Sequence, residues 1–217
     1  MFEIDNTPLK RGYNPMPAGT NENVTLSRVA YEPFKNDGTG DMVLKFEFTD
    51  QAGRSFTHNE WEIVPEKVKA NAQAWGQDYQ ELLESMMRDT TERIKHIMSC
   101  YMPLRDVQVK GDSWAKFSQA VIDCLGDKYK DVSVRIKLIL NNKDYTKFPK
   151  RAINDFIQPM DQPNTITYHP KFDRIEPKAA ATNTELDSML GGVEAAPVQE
   201  PAMVAAPARE EDDQLAF

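Results

Sequence analysis

The chain has 217 residues, 40% of them apolar and 28% charged, enough for one sizeable domain or two small ones with an ordinary globular core. It contains no run of about 18 apolar residues, which excludes a membrane-spanning helix, and its start, MFEIDNTPLKRGYNPMPAG, lacks the basic-then-apolar order of a signal peptide. A cytoplasmic protein is expected, or one of a host cell's cytoplasm, with Cys100 and Cys124 as buried thiols and no disulfide. The net charge of −8 is uneven: from Glu176 to Phe217 there are nine acids and two bases, net −7, which leaves −1 for residues 1–175. The acidity therefore says little about what the body binds.

Residues 1–20 hold three prolines and no clear period, and are expected to be loosely structured. NVTLSRVAYEPF then reads as an extended apolar run. In DMVLKFEFTD, Met42, Leu44, Phe46 and Phe48 alternate with Val43, Lys45 and Glu47, the pattern of a half-buried strand. DQAGR is a turn, and SFTHNEWEIV extends again, so Met42 to Ile63 is a hairpin. Pro65 suits a first helical position. Apolar residues recur at three-and-four spacings from Val68 to Tyr101, an amphipathic helix ended by Pro103 and broken at Gly76 or in RDTTER. DSWAKFSQAVIDCLGD is a second helix, with Asp112 or Ser113 as N-cap and Gly126 as terminator.

Strand returns in DVSVRIKLIL, where Val134, Ile136 and Leu138 face one way and Arg135 and Lys137 the other. NNKD (Asn141–Asp144) turns the chain, DYTKFP pairs back, and NTITYHPKF supplies one more extended segment. The result is an α+β fold of five or six mainly antiparallel strands. A helical insertion spans about residues 65–126, within a domain of residues 21–175. A five-stranded Greek-key barrel of the OB type fits this order; another small barrel or an open sheet gives the same string. Residues 176–217, rich in Ala, Pro, Glu and Gly, are expected to be a disordered linker and acidic tail.

Few residues suggest catalysis. The three histidines, His58, His96 and His169, lie in different segments, and no zinc, phosphate-loop or nucleophile-elbow motif is present, so neither enzyme activity nor a cofactor is expected. HNEWE would place His58, Glu60 and Glu62 on one strand face, a solvated polar surface or, less simply, the metal site of a nuclease. The late hairpin says more. Arg135, Lys137, Tyr145, Lys147, Phe148, Lys150 and Arg151 interleave cations with rings, as a single-stranded nucleic acid requires: cations for phosphates, rings for unpaired bases. Affinity falling steeply with salt is then expected. Alternatively, Tyr145 and Phe148 plug the core and the cations solubilise an edge strand.

The chain stops on REEDDQLAF, a four-acid block followed by a terminal ring and its α-carboxylate. A barrel-like body, a long linker and an acidic tip ending in Phe resemble the single-stranded DNA-binding proteins of bacteria and their phages. That resemblance implies a non-catalytic protein that coats exposed single strands in DNA replication, recombination or repair. It also implies that Glu210, Glu211, Asp212, Asp213 and Phe217 recruit partners such as a polymerase, helicase or nuclease. Ala216 replaces the proline common in bacterial tips, and the helical insertion is longer, which brings the phage-encoded version closer. A phage assembly or interaction factor that binds no DNA is the competing expectation. Homo-oligomerisation and the choice between DNA and RNA stay open.

Overall fold

The computed structural model describes residues 14–35, 40–149 and 155–177. The chain divides into two units between Glu176 and Pro177, and the architecture below belongs to the first. Apart from Glu176 and Pro177, the expected linker, tail and tip lie outside the described residues.

A six-stranded antiparallel sheet with three helices forms an α+β domain. The strands are β1 (Gly19–Pro33), β2 (Met42–Thr49), β3 (Ser55–Trp61), β4 (Ser133–Leu140), β5 (Thr146–Lys147) and β6 (Ile157–Pro159). Their order is β3-β2-β1-β4-β5, with β6 also on β4. β1 is shared: its first half pairs with β4 from Gly19↔Leu138 to Thr25↔Ser133, its second half with β2 from Thr25↔Thr49 to Pro33↔Met42. Two bulges, at Asn21/Val24 and Leu26/Arg28, interrupt these ladders, and Asn23 takes φ 54° in the first. Extra residues of this kind bend a strand and increase its twist, which lets one strand serve two neighbours.

The β2–β3 hairpin closes on Gly53 at φ 73°, and the Asp50 carboxylate receives the Arg54 backbone N–H at 2.8 Å. Leu44, Phe46 and Phe48 enter the core as alternation requires. Val43 and Lys45 on the other face are also buried, and Met42 is exposed. The first twenty residues are more ordered than their prolines suggest: Met16 is fully buried, and Asn14 and Met16 bond through their backbones to Ser55.

The helical block lies between β3 and β4. α1 (Pro65–Trp75) ends at Gly76 in the left-handed conformation, so the break falls there and RDTTER continues the next helix. α2 (Tyr79–Ser99) is N-capped by Asp78, and α3 (Trp114–Leu125) by Ser113. α2 buries Thr90, Arg93, Ile94, Ile97 and Met98; α3 buries Ser118, Val121 and Leu125. Ile94, Ile97, Met98, Val121 and Leu125 join Phe46, Phe48, Phe56, Phe148 and Phe156 in one core. No helix among the described residues is long and apolar enough to cross a membrane.

Two expectations change. NTITYHPKF forms no strand and runs as irregular chain; two residues beyond it the Arg174 carbonyl accepts from Leu140 N–H, and the late strand is instead Ile157–Pro159. The two thiols are free, but only Cys100 is buried and Cys124 is half-buried.

Candidate nucleic-acid interface

The inner face of β3 carries Phe56, His58 and Glu60, which stand opposite Phe48, Phe46 and Leu44 of β2. His58 and Glu60 do share a face, but it is the core face, with Glu60 1% exposed and His58 half-buried. Arg93 of α2 grips Glu60 through Nε at 2.7 Å and Nη2 at 2.9 Å, and His58 Nε2 lies 2.8 Å from Glu60 Oε1. Burial alone would raise the Glu60 carboxyl; its interaction with His58 and the Arg93 hydrogen bond outweigh this and hold it at about 2. Glu62 is exposed and takes no part in this pairing. Among the described residues no cluster of three or more His, Cys, Asp or Glu could hold a metal.

The cations of β4 are also placed differently from the expectation. Arg135 and Lys137 do project opposite Val134, Ile136 and Leu138, but that side is covered too. Arg135 Nε meets Glu22 Oε1 at 2.9 Å, and Nη1 lies 3.4 Å from Gln158 Oε1 on β6. Lys137 Nζ donates to Asp173 Oδ2 at 2.9 Å and to the Thr167 carbonyl at 2.8 Å, with the Tyr168 ring 5.4 Å away. Lys137 is 1% exposed. Both cations already hold anionic partners, so in this conformation they present no charge to a phosphate. Phe148 is core, not surface: its ring lies 4.8 to 5.6 Å from those of Phe156, Phe56 and Phe48, and 4.9 Å from His58. The following Pro149 is buried as well.

Tyr145 is the expected ring that stays outside, at 64% exposure. The Asn141 side-chain oxygen accepts from the backbone N–H of Lys143 and Tyr145, both at 2.9 Å, which fixes the β4–β5 turn. Asp144, at φ 60°, pairs with Arg174. Lys143 is exposed and Lys147, on β5 opposite Ile139, is half-buried. Lys150, Arg151, Glu210, Glu211, Asp212, Asp213 and Phe217 lie outside the described residues.

A second ring pair has no counterpart in the sequence pattern. Phe34, 43% exposed at the end of β1, packs 4.8 Å from Trp61 at the end of β3, and Lys35 follows it in the open. The Phe34 N–H bonds the Asp41 carbonyl at 2.9 Å, closing the β1–β2 loop. Beside Phe34, the outer face of β1, β2 and β3 holds a polar cleft of about 350 Å³, lined also by Lys45, Glu47, Thr57 and Asn59. The Asn59 Oδ1 atom is buried without a hydrogen-bond partner. Flanking the cleft, Arg28 bonds Glu47 at 2.9 Å and Glu32 at 3.0 Å, and Lys45 lies 3.1 Å from Glu32. The hydrogen bond from Arg28 is the main reason the Glu32 carboxyl sits at about 2. The hairpin expected from sequence places Trp61 on β3, opposite Val43, but the position of Phe34 beside it follows only from the fold.

Comparison of the chain with family models, with curated proteins and with solved structures finds no match.

Proposed function

We propose that this chain is a non-catalytic, OB-like module that binds single-stranded DNA and recruits other proteins through its acidic C-terminal tip. The observation that carries the reading is a pairing of rings with lysines at both hairpin loops flanking the sheet. Phe34 and Lys35 stand at the β1–β2 loop; Lys143 and Tyr145 stand at the β4–β5 turn. OB folds use the face of strands 2 and 3 and these same two loops for oligonucleotides. The bent β1 shared by β2 and β4, the order β3-β2-β1-β4-β5 and the helices between β3 and β4 support that comparison. The cleft adds polar side chains at Thr57 and Asn59, suited to hydrogen bonding with a base edge. Rings stack on any base, so such a surface is sequence-tolerant.

The test is a titration of the full chain with labelled oligo(dT) and with a duplex of equal length at several salt concentrations. Single strands should bind more tightly, and log affinity should fall linearly with log salt. Phe34→Ala should weaken binding by roughly 5- to 150-fold, the worth of one stacked base. Lys35→Ala should flatten the slope by about 0.7, one phosphate on a single strand. No binding, or equal binding to duplex, rejects the reading. For the tip, Phe217→Ala should lose partners that wild type captures from a host lysate; identical captures reject that half alone.

A further inference from the structure

We propose that the groove between α2, the start of α3 and the link from β3 to α1 is a docking site for a basic amphipathic segment of a partner protein. The groove encloses about 340 Å³, room for one or two large side chains. Its walls are apolar: Ile63, Leu83, Met87, Trp114 and Phe117. Leu83, Met87 and Thr90 follow a helical spacing, so the groove runs along one face of α2. Met87 is 53% exposed in mid-helix, and a flexible thioether adapts to varied apolar anchors. The wall is closely built on the α3 side. A Cβ at Gly111 would fall 2.3 Å from the Phe117 backbone nitrogen.

Charge selects the occupant. Glu62 and Asp112 line the groove, and no lysine, arginine or histidine does. Asp112 is partly offset by Lys116 at 2.7 Å, whereas Glu62 has no salt bridge among the described residues. Its charge reaches inward: burial first, then Glu62, pushes the Tyr31 phenol up. Trp114 adds an unmet donor, its buried indole N–H having no acceptor. An apolar anchor flanked by lysine or arginine matches these features. The chain's own tip does not, since Glu210 to Asp213 carry the same sign as the groove. A second copy presenting the same acidic face is opposed in the same way.

The probes are two synthetic helical peptides with identical leucine and phenylalanine anchors, one with lysine and one with glutamate at every other position. The readouts are the Trp114 indole N–H and Met87 methyl resonances of the full-length protein. The lysine peptide should shift both saturably and the glutamate peptide neither. Glu62 is exposed, so Glu62→Lys should fold; it should weaken the lysine peptide by roughly five-fold, the worth of an exposed charge pair, and admit the glutamate peptide. No shift with the lysine peptide, equal shifts with both, or indifference to Glu62→Lys overturns the proposal. So does movement of the Met87 resonance with protein concentration alone, which indicates a second copy. Movement on converting Glu210–Asp213 to their amides, without peptide, assigns the groove to the chain's own tip and overturns it equally.

Discussion

Replacing Tyr145 and Phe148 by alanine, one at a time, separates a binding ring from a core ring three residues away. Phe148 is 3% exposed and touches four other rings. Its truncation removes those contacts and leaves a cavity that rigid neighbours fill only in part, a cost of about 3–5 kcal/mol. In a domain of this size that corresponds to a fall in Tm of roughly 6–20 °C. Tyr145 is 64% exposed, and its position is fixed by backbone bonds to Asn141 that alanine retains. Its truncation should change stability by no more than about 0.5 kcal/mol. If the ring stacks on a base, oligo(dT) affinity should fall by about 1–3 kcal/mol, roughly 5- to 150-fold. The assay is calorimetric melting with a fluorescence titration at a temperature where both variants are folded. Two results would refute the reasoning: Phe148→Ala melting with wild type, or Tyr145→Ala binding with wild-type affinity.

Acid should act on the Glu60–Arg93 pair. The Glu60 carboxyl sits at about 2 in the fold against 4.5 ordinarily, so the unfolded chain binds its proton first. The stabilisation is present above about pH 4.5, is lost as pH falls toward 2, and amounts to roughly 3 kcal/mol. Glu60→Gln should lower stability near neutral pH by about 3–5 kcal/mol, because Arg93 keeps its buried charge. It should also remove that part of the acid slope; parallel urea-midpoint curves for wild type and variant between pH 3 and 6 would sink the assignment. Thiol counting checks the helical block: burial pushes the Cys100 thiol up to about 12, so native protein should react slowly at Cys100 and faster at Cys124, and denatured protein at both. Equal native rates would contradict the packing at the end of α2.

Local chemistry was legible. Gly76 and Gly126 end helices because their backbone can turn where a side chain resists it, and Ser113 caps α3 because its oxygen meets the Lys116 N–H at 3.3 Å. The Asn141–Tyr145 turn is likewise built by its own residues. What escaped depends on distant chain. The alternation in β4 marks two faces but does not say that both are covered. Lys137 finds its carboxylate 36 residues on, and Arg135 finds Glu22 113 residues back. A cation on the polar side of a strand reads as solvated until such partners are known. The same holds for Glu60, whose partner Arg93 lies 33 residues away on a helix. Phe34 and Trp61 needed the path of the β1–β2 loop, which no local pattern dictates.

The placement of charge also changes what kind of binding to expect. A body of net charge near −1 holds a polyanion only through local excess of cations. On the sheet that excess is largely cancelled: Arg135, Lys137, Lys45 and Arg28 each face a carboxylate. Phosphates would have to displace those carboxylates, exchanging one ion pair for another with little net gain. At the two hairpin loops beside the sheet, Lys35 and Lys143 are exposed and would meet a single strand bound there. Few phosphates neutralised means few counterions released, so each contributes only about 0.7 to the salt slope and the total stays shallow. On the proposed reading, stacking on Phe34 and Tyr145 would supply the larger share. This account expects a shallower salt dependence than counting every cation of the late hairpin does. The two accounts part in one measurement: a shallow slope with large losses for ring variants favours the loops, and a steep slope with small ring effects favours cations beyond them.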